Sequence, residues 1–249
     1  MVMKHGVGVD NIDLGAATSR GIVVANAPGT NTDAVADLTL GLMLTLLRRI
    51  CTANASTHSG AWERYMGYEL GASVVGVVGT GRIGAAVARR VHAFGAKLLA
   101  HDVVPNESLT TSFALRYVSL EELLRRSDIV TLHAPLLPQT AGMIGLEELG
   151  LMKESSFLIN CARGELVDEV ALCESLRSGG IAGAAVDVFA TEPPQDSPLL
   201  EFENVVAVPH IGAYTYEAME AMDRLCAQTV IDVLVNGRIP PNVLNPEAA

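Results

Sequence analysis

The chain has 249 residues, of which 49% are hydrophobic and 18% charged, so its composition is that of a globular protein and excludes an intrinsically disordered one. Its formal net charge is −11 and it contains no run of lysine and arginine, which argues against a nucleic-acid partner. The four cysteines form neither a CxxC pair nor a short-chain disulfide framework, so we expect reduced thiols and a cytoplasmic protein.

The first 29 residues, which open with MVMKHGVGVDNIDLG, give only two element signals. A short helix is predicted over about 11–20 and a strand over 21–27. One strand and one helix do not make an independent domain, because a sheet needs about three or more strands or good cover. We therefore interpret this stretch as part of a second lobe whose other strands are absent.

Residues 31–50 are predicted to form one long helix, with Thr30, Thr32 or Asp33 as its N-cap. Its apolar residues run almost all the way round, as expected for a helix between packed surfaces. The most apolar run, LTLGLMLTLL, is far shorter than the ~20 residues needed to cross a membrane. The helix is therefore predicted to be buried or to lie at an interface, and no membrane partner is expected.

From residue 74 onward, short β-branched runs alternate with segments of helical period, which predicts right-handed βαβ units and a parallel sheet. Gly95 and the Gly179–Gly180 pair are predicted to end two of the helices, and a last amphipathic helix is predicted over 214–236. The predicted strands are 74–78, 97–102, 128–134, 157–162, 184–189 and 204–209.

The sequence GTGRIG follows the first of these strands directly and opens a helix. Its three glycines allow a tight turn, close approach of the backbone to a pyrophosphate, and close packing of helix on strand. They are Gly79, Gly81 and Gly84. The next strand ends in Asp102, where a carboxylate can bind ribose hydroxyls, and Val103 and Val104 follow rather than a basic cluster. The prediction is NAD rather than NADP, bound to a doubly wound, Rossmann-type α/β sheet; a glycine turn without a ligand is the alternative.

Three polar residues fall at or just after predicted strand ends, where ligands bind in open α/β sheets. Arg163 either clamps a carboxylate bidentately or pairs with Glu165 or Asp168 at a helix start. His210 either moves a proton in an alcohol/carbonyl interconversion or is a structural histidine. Glu192, in ATEPP, either hydrogen-bonds the imidazole and orients it or lies in a solvated turn.

Two further strand-end residues, His133 in LHAPL and Asp187 in VDVF, have the same double interpretation. Each either lines the nicotinamide side of a cofactor site or caps and packs the fold. No set of histidine, cysteine and aspartate residues has metal-ligand spacing, so no metal is predicted.

Together these stretches resemble the D-isomer-specific 2-hydroxyacid dehydrogenases, in order and spacing, over essentially the whole chain. The stretches that carry the resemblance are GVGVDNID, NAPGTNT, GTGRIG, LHAPL, NCARGELVDE, VDVFATEPP and VPHIGA. NCARG, HIGA and the GVGVDN start are most similar to the phosphoglycerate dehydrogenase branch of that family. The resemblance implies that Arg163 binds the substrate carboxylate and carbonyl, that His210 is the acid/base, and that Glu192 is its partner. The full predicted set of NAD contacts is Val7, Gly79, Gly81, Arg82, Ile83, Gly84, Asp102, His133, Ala134, Pro135, Cys161, Ala162, Asp187 and Gly212.

The resemblance also implies a domain organisation. Residues 1–29 are expected to be a remnant of the substrate-binding lobe, 30–211 the NAD-binding domain, and 212–249 a helix and tail that return to the substrate lobe. Members of the family carry a flavodoxin-like lobe, most of which precedes GVGVDNID. We therefore expect a fragment, the product of a misplaced start, or a natural short form.

The predicted function is NAD-dependent oxidation of a D-2-hydroxy acid, with 3-phosphoglycerate as the first candidate substrate, or the reverse reduction of the 2-keto acid. Reduction of glyoxylate or hydroxypyruvate is the enzymatic alternative. A non-catalytic NAD(H)-binding or redox-sensing module is the alternative from another class. A homodimer through the NAD domain is expected, because the apolar helix over 31–50 is hard to bury in a monomer.

Overall fold

Seven of the strands form one parallel sheet in the computed structural model, which describes residues 1–248. In chain order the strands are β1 (Val2–Met3), β2 (Val24–Ala25), β3 (Val74–Val78), β4 (Lys97–His101), β5 (Arg116–Tyr117), β6 (Ile129–Leu132), β7 (Phe157–Asn160), β8 (Gly183–Val186) and β9 (Val205–Ala207). The order across the large sheet is β5-β4-β3-β6-β7-β8-β9, and every pairing in it is parallel. The chain thus runs outward from β3 to one edge, returns to the other side of β3, and runs outward again. This doubly wound order confirms the predicted α/β fold.

An α-helix lies between every two successive strands except β8 and β9, as the predicted βαβ units require. The helices are α1 (Leu14–Ser19), α2 (Thr32–Leu47), α3 (Ile50–His58), α4 (Arg82–Ala93), α5 (Glu107–Phe113), α6 (Leu120–Arg126), α7 (Leu146–Leu151), α8 (Glu169–Ser178) and α9 (Tyr216–Leu234). The predicted glycine stops hold: Gly95 has φ of +88° just after α4, and Gly179 is the C-cap of α8 with φ of +74°.

The chain divides into two compact units, one of residues 35–212 and one of residues 1–34 together with the residues from 213 onward. The larger unit contains the seven-stranded sheet and the helices α3 to α8. In the smaller unit β1 pairs in parallel with β2, and Val23, Ala25 and Val243 form a small core. The roles predicted for these parts of the chain stay predictions.

Alternate residues of β3, β4 and β6 to β9 enter different hydrophobic clusters, which places a core on each face of the large sheet. On β6, for example, Ile129 packs with residues of α2 and α4, whereas Val130 packs with residues of α6, α7 and α8. A sheet covered on both faces buries its strands on both sides, and all four residues of β6 are buried, Thr131 among them.

The helix predicted over 31–50 is wrong in its extent. The structure ends α2 at Leu47 and begins α3 at Ile50, because Arg49 lies in the left-handed region with φ of +50°. The carbonyl of Leu47 accepts a hydrogen bond from the N–H of Tyr68, 3.0 Å away, so the returning chain takes the place of the next helical turn. Of the candidate caps, the Thr30 hydroxyl instead donates to the carbonyl of Ala27.

Several short elements were not predicted, namely β1, α3, β5, α5 and α7. The predicted strands are all present, but each except 74–78 is shorter than predicted. The missing residues come mostly from the carboxyl ends, where the chain leaves the sheet. Those loops carry most of the predicted site residues.

Candidate active site

The carboxyl ends of the parallel strands meet at one edge of the large sheet, and most predicted site residues follow those ends directly. The strand order reverses between β3 and β6, which is where an open α/β sheet leaves a crevice for a ligand. The candidate site is therefore built from the loops that follow β3, β4, β6, β7, β8 and β9.

The loop from β3 to α4 needs glycine for two separate steric reasons. Gly79 has φ of +89°, and a Cβ there would lie 2.7 Å from the backbone nitrogen of Ala134. A Cβ on Gly84 would overlap the carbonyl oxygen of Gly79, so α4 approaches the loop this closely only without a side chain. At Gly81, by contrast, a Cβ would meet none of the surrounding atoms within 4 Å. The space beside Gly81 is open to a ligand.

The amino end of α4 fits the pyrophosphate of a dinucleotide. Gly81 is the N-cap residue of α4 and has no side chain with which to cap it. The N–H groups of the first turn, which carry the partial positive charge of the helix end, can therefore bind an anion. The predicted contacts Arg82 and Ile83 begin this turn, Arg82 exposed and Ile83 half-buried.

Asp102 directly follows β4 and is held by three donors. Its Oδ2 accepts from the backbone N–H of Thr80 at 2.5 Å and from the Thr80 hydroxyl at 2.9 Å, and its Oδ1 accepts from the N–H of Val104 at 3.0 Å. Burial raises the pKa of Asp102, but the hydrogen bonds from Val104 and Thr80 outweigh burial, so its pKa lies below the ordinary value. The carboxylate is therefore ionised at neutral pH and ready to accept bonds from ribose hydroxyls.

His133 follows β6, and its ring is enclosed behind the loop of residues 79–81 between β3 and α4, the glycine loop. Its Nε2 lies 3.0 Å from the Thr131 hydroxyl, and its Nδ1 is sealed from solvent without a partner among the described residues. Although the residue keeps some exposed surface, burial of the ring lowers the pKa of His133 to about 3. We therefore expect a neutral ring that does not exchange protons near pH 7. The next two predicted NAD contacts are Ala134, whose backbone lies against Gly79, and Pro135, which is exposed.

The turn after β7 carries Cys161, Ala162 and Arg163. The Asn160 side chain fixes this turn, because it accepts from the N–H of Ala162 at 3.1 Å and donates to the carbonyl of Arg163 at 2.8 Å. Arg163 is half-buried, and its Nη1 donates to the carbonyl of Ala162 at 2.7 Å. Burial raises the pKa of Cys161 to about 12, so its thiol stays protonated and apolar in character.

His210 and Glu192, which come from different loops, form a hydrogen-bonded pair. The Nδ1 of His210 lies 2.7 Å from Oε2 of Glu192, and Oε1 of Glu192 accepts from the N–H of Phe189 at 3.1 Å. Half of the His210 side chain is exposed, at 51%, so its ring is accessible to a ligand. His210 has φ of +53°, an uncommon conformation for a residue other than glycine, and such backbone outliers cluster at functional sites. The structure thus brings together the two residues that the sequence analysis joined as acid/base and partner.

Asp187 is buried under the loop that carries His210. Its Oδ1 accepts from the N–H of Ile211 at 2.6 Å, and its Oδ2 accepts from the N–H of Gly212 at 2.9 Å. Burial raises the pKa of Asp187 above its ordinary value, although the bonds from Ile211 and Gly212 act in the opposite direction. With 1% of its surface exposed, Asp187 holds the loop in place, which favours the capping interpretation of this residue.

The remaining predicted contact, Val7, lies in the smaller unit, where its carbonyl accepts from the Asn26 side chain at 2.6 Å. Three residues that hold the others were not predicted: Thr80, Asn160 and Tyr117, whose hydroxyl donates to that of Thr80. Thr80 stands inside GTGRIG and Asn160 inside NCARG, so their proximity to predicted site residues was a usable signal. For Tyr117, which lies on a two-residue edge strand, the sequence offers none.

Within residues 1–248, no three histidine, cysteine, aspartate or glutamate side chains are grouped so as to hold a metal ion. Among the helices described there, none has the length and apolar character to cross a membrane.

Residues 40–212 match a family model described as "D-isomer specific 2-hydroxyacid dehydrogenase, NAD binding domain". The chain is 45% identical over 248 residues to a D-3-phosphoglycerate dehydrogenase of Methanocaldococcus jannaschii, an alignment that covers 98% of this chain and 47% of the relative. It is 43% identical over 256 residues to a glyoxylate reductase of Thermococcus litoralis, with coverage of 99% and 77%. The chain thus spans about half the length of the curated D-3-phosphoglycerate dehydrogenases that it matches.

The fold of this chain is also similar to solved structures. The TT0316 protein of Thermus thermophilus superposes with a TM-score of 0.90 at 40% identity, covering 98% of this chain and 79% of that one. The D-lactate dehydrogenase of Aquifex aeolicus, solved with NAD and lactic acid, superposes with a TM-score of 0.89 at 32% identity and the same coverage of 98% and 79%.

Proposed function

This chain belongs to the D-isomer-specific 2-hydroxyacid dehydrogenase family, and we propose that it is an oxidoreductase acting on the CH–OH group of a D-2-hydroxy acid, or on the 2-keto acid in reverse. Its cofactor is NAD, and the glycine loop with its uncapped helix end and the ionised Asp102 fit that cofactor. When bound, NAD supplies the nicotinamide that accepts or gives up the hydride.

The observation that carries the proposal is the His210–Glu192 pair at the carboxyl edge of the sheet. In the proposed arrangement Oε2 of Glu192 accepts from Nδ1–H of His210, which leaves Nε2 as the nitrogen that exchanges a proton with a ligand. His210 would take the proton of the substrate hydroxyl during oxidation and return it during reduction. Glu192 would orient the ring and stabilise its protonated form.

Arg163 is proposed to bind the substrate carboxylate and polarise the adjacent carbonyl. A guanidinium is planar and always charged, and it matches a carboxylate with two parallel hydrogen bonds. The side chain lies just past the end of β7, on a turn that Asn160 fixes from both sides. Such a turn suits a residue that must hold a substrate in one orientation.

The first substrate that we propose is 3-phosphoglycerate, supported by the 45% identity to a D-3-phosphoglycerate dehydrogenase. Glyoxylate or hydroxypyruvate reduction is the second candidate, because the chain is 43% identical to a glyoxylate reductase of which it covers 77%. Both candidates use the same acid/base pair and the same carboxylate-binding arginine, and they differ only in the rest of the substrate.

The test is NADH oxidation by the 249-residue chain with 3-phosphohydroxypyruvate, hydroxypyruvate and glyoxylate. We expect His210→Ala to lower kcat by about 10²–10⁴-fold, the usual contribution of general acid/base catalysis, while NADH binding is retained. Glu192→Gln should lower kcat by about tenfold, because a neutral hydrogen bond replaces a charged one. His58→Ala, at an exposed histidine of α3, is the matched control.

Turnover unchanged in His210→Ala would contradict the proposal. NADH binding without turnover on any substrate of the panel would favour the alternative of a non-catalytic NAD(H)-binding module.

We further infer a homodimer formed through the larger unit and a cytoplasmic location. Support for the dimer comes from the irregular segment of residues 61–69, which exposes Trp62 by 70%, Met66 by 92% and Tyr68 by 60%. Exposed large apolar side chains that lie close together in the sequence are a feature of protein–protein contact sites. The four cysteines are free thiols, which agrees with a reducing compartment.

A further inference from the structure

A chain of hydroxyl groups runs from β5 to the predicted ribose-binding carboxylate. The Tyr117 hydroxyl lies 2.9 Å from the Thr80 hydroxyl, which lies 2.9 Å from Oδ2 of Asp102. The backbone N–H of Asn106 donates to the Tyr117 hydroxyl at 2.8 Å. These bonds link four segments: the glycine loop, the end of β4, the amino end of α5 and the edge strand β5.

The direction of each bond in this chain follows from the chemistry of its ends. An ionised carboxylate only accepts, so the single proton of the Thr80 hydroxyl must point to Asp102. The Thr80 oxygen can then only accept from Tyr117, and the Tyr117 oxygen accepts from the N–H of Asn106. All donors therefore point toward Asp102, and each bond polarises the next in the same sense.

Burial makes this arrangement hard to replace with water. Thr80 is 3% exposed and Tyr117 is half-buried. The carboxylate also receives the backbone N–H of Thr80, so a single residue holds Oδ2 from two directions. Asp102 consequently has little freedom to rotate away.

The crevice beside this carboxylate has the wrong charge for a phosphate. Thr80, Asp102, Asn106 and Glu107 are among the residues that line it, and two of these four are acidic. A ribose with free hydroxyls can donate to an oriented carboxylate, whereas a ribose 2′-phosphate would face two negative charges.

We propose that Thr80 and Tyr117 are positioning residues that hold Asp102 for the ribose hydroxyls of NAD(H) and thereby set the preference for NAD(H) over NADP(H). The inference rests on the proposed ribose-binding role of Asp102. It extends that role to two residues that touch the carboxylate directly or through one hydroxyl.

The test is the dissociation constant of the 249-residue chain for NADH and for NADPH, measured by the fluorescence of the reduced nicotinamide. We expect Tyr117→Phe and Thr80→Val each to weaken NADH binding by about three- to tenfold, the worth of one hydrogen bond, with no comparable loss for NADPH. Thr80→Ser, which keeps the hydroxyl, should retain the wild-type ratio of the two constants. Tyr68→Phe, at an exposed tyrosine, is the matched control for loss of a phenol oxygen.

Asp102→Asn distinguishes a failure of this inference from a failure of the proposed ribose-binding role of Asp102. If this variant loses the NADH preference while Tyr117→Phe and Thr80→Val keep it, the hydroxyl chain has no part in cofactor choice and the inference is overturned. If Asp102→Asn itself keeps the preference, the ribose role of Asp102 is overturned, and the inference with it. Neither result bears on hydride transfer, because the binding assay requires no turnover.

Discussion

Glu192 and Asp187 are both acidic residues after β8, yet the structure gives them different tasks. Glu192 faces the ring of His210, whereas both carboxylate oxygens of Asp187 accept hydrogen bonds from the backbone N–H groups of Ile211 and Gly212. One carboxylate therefore orients a side chain and the other orients the loop that carries it. Loss of Asp187 would move His210 without touching the imidazole.

His133 provides a pH-dependent prediction. Its pKa is lowered to about 3 in the folded chain, from an ordinary value of 6.5, so below pH 6.5 the unfolded chain binds a proton that the folded chain does not. Folding stability is then lost as the pH falls from 6.5 toward 3, by about 2 kcal/mol between pH 7.5 and pH 5 from this residue alone. His133→Gln removes the titration and keeps an amide near Thr131.

The measurement is the free energy of unfolding in urea at pH 7.5 and pH 5, for the wild type and His133→Gln. We expect the variant to lose about 2 kcal/mol less than the wild type over this interval. Equal losses in the two proteins would mean that the ring becomes solvated in the folded chain.

Two glycines of GTGRIG, Gly84 and Gly81, are predicted to serve different purposes: close packing of the fold and binding of the cofactor. Gly84→Ala forces a Cβ into the carbonyl of Gly79, so we expect a loss of about 1–3 kcal/mol or more of stability. Gly81→Ala meets open space, so the melting temperature should stay near the wild-type value while NADH binding weakens. Thermal unfolding and NADH titration of both variants check this, with Gly150→Ala, in an open position on α7, as control. A Gly84→Ala variant of unchanged stability would refute the steric argument.

The elements that could be predicted are those whose signal is local. The buried strands β3, β6 and β7 are short, mostly apolar runs, and α4 and α8 are followed by glycines, so these were found close to their observed bounds. The break after Leu47 was missed because it depends on a hydrogen bond from Tyr68, a residue far along the chain. Likewise β5 has two residues and exists only because it pairs with β4.

In the candidate site too, residues with a local sequence signal could be predicted and residues defined by distant contacts could not. His210, Glu192 and Arg163 could be placed from sequence because each follows a recognisable strand or loop. Tyr117 could not, and the position of Thr80 inside GTGRIG does not reveal its partners, since their hydrogen bonds join segments that meet only in the folded sheet. Secondary-structure propensity and hydrophobic periodicity describe one segment of the chain at a time. A positioning residue is defined by its hydrogen-bond partner in another segment.

For the larger unit, the exposed side chains of residues 61–69 lead to a prediction about assembly. A homodimer that covers Trp62 and Met66 should sediment as a defined species of twice the chain mass. Trp62→Glu combined with Met66→Glu should shift it to the monomer, because the interface would then bury unpaired charges. Analytical ultracentrifugation measures this, with Val103→Glu, at a 92% exposed residue outside the segment, as control. A dimer that survives the double substitution would place the interface elsewhere.

The interior position of β3 in the sheet also has a consequence for synthesis on the ribosome. β3 pairs with β4 on one side, but its other edge is covered only by β6, where Val75 meets Ile129. That partner emerges roughly 50 residues later, after about 3–10 s of translation at ordinary rates. During this interval an apolar strand with an open edge is presented to the cell, so the nascent chain is most vulnerable to aggregation, and most in need of a chaperone, before residue 132 has left the exit tunnel.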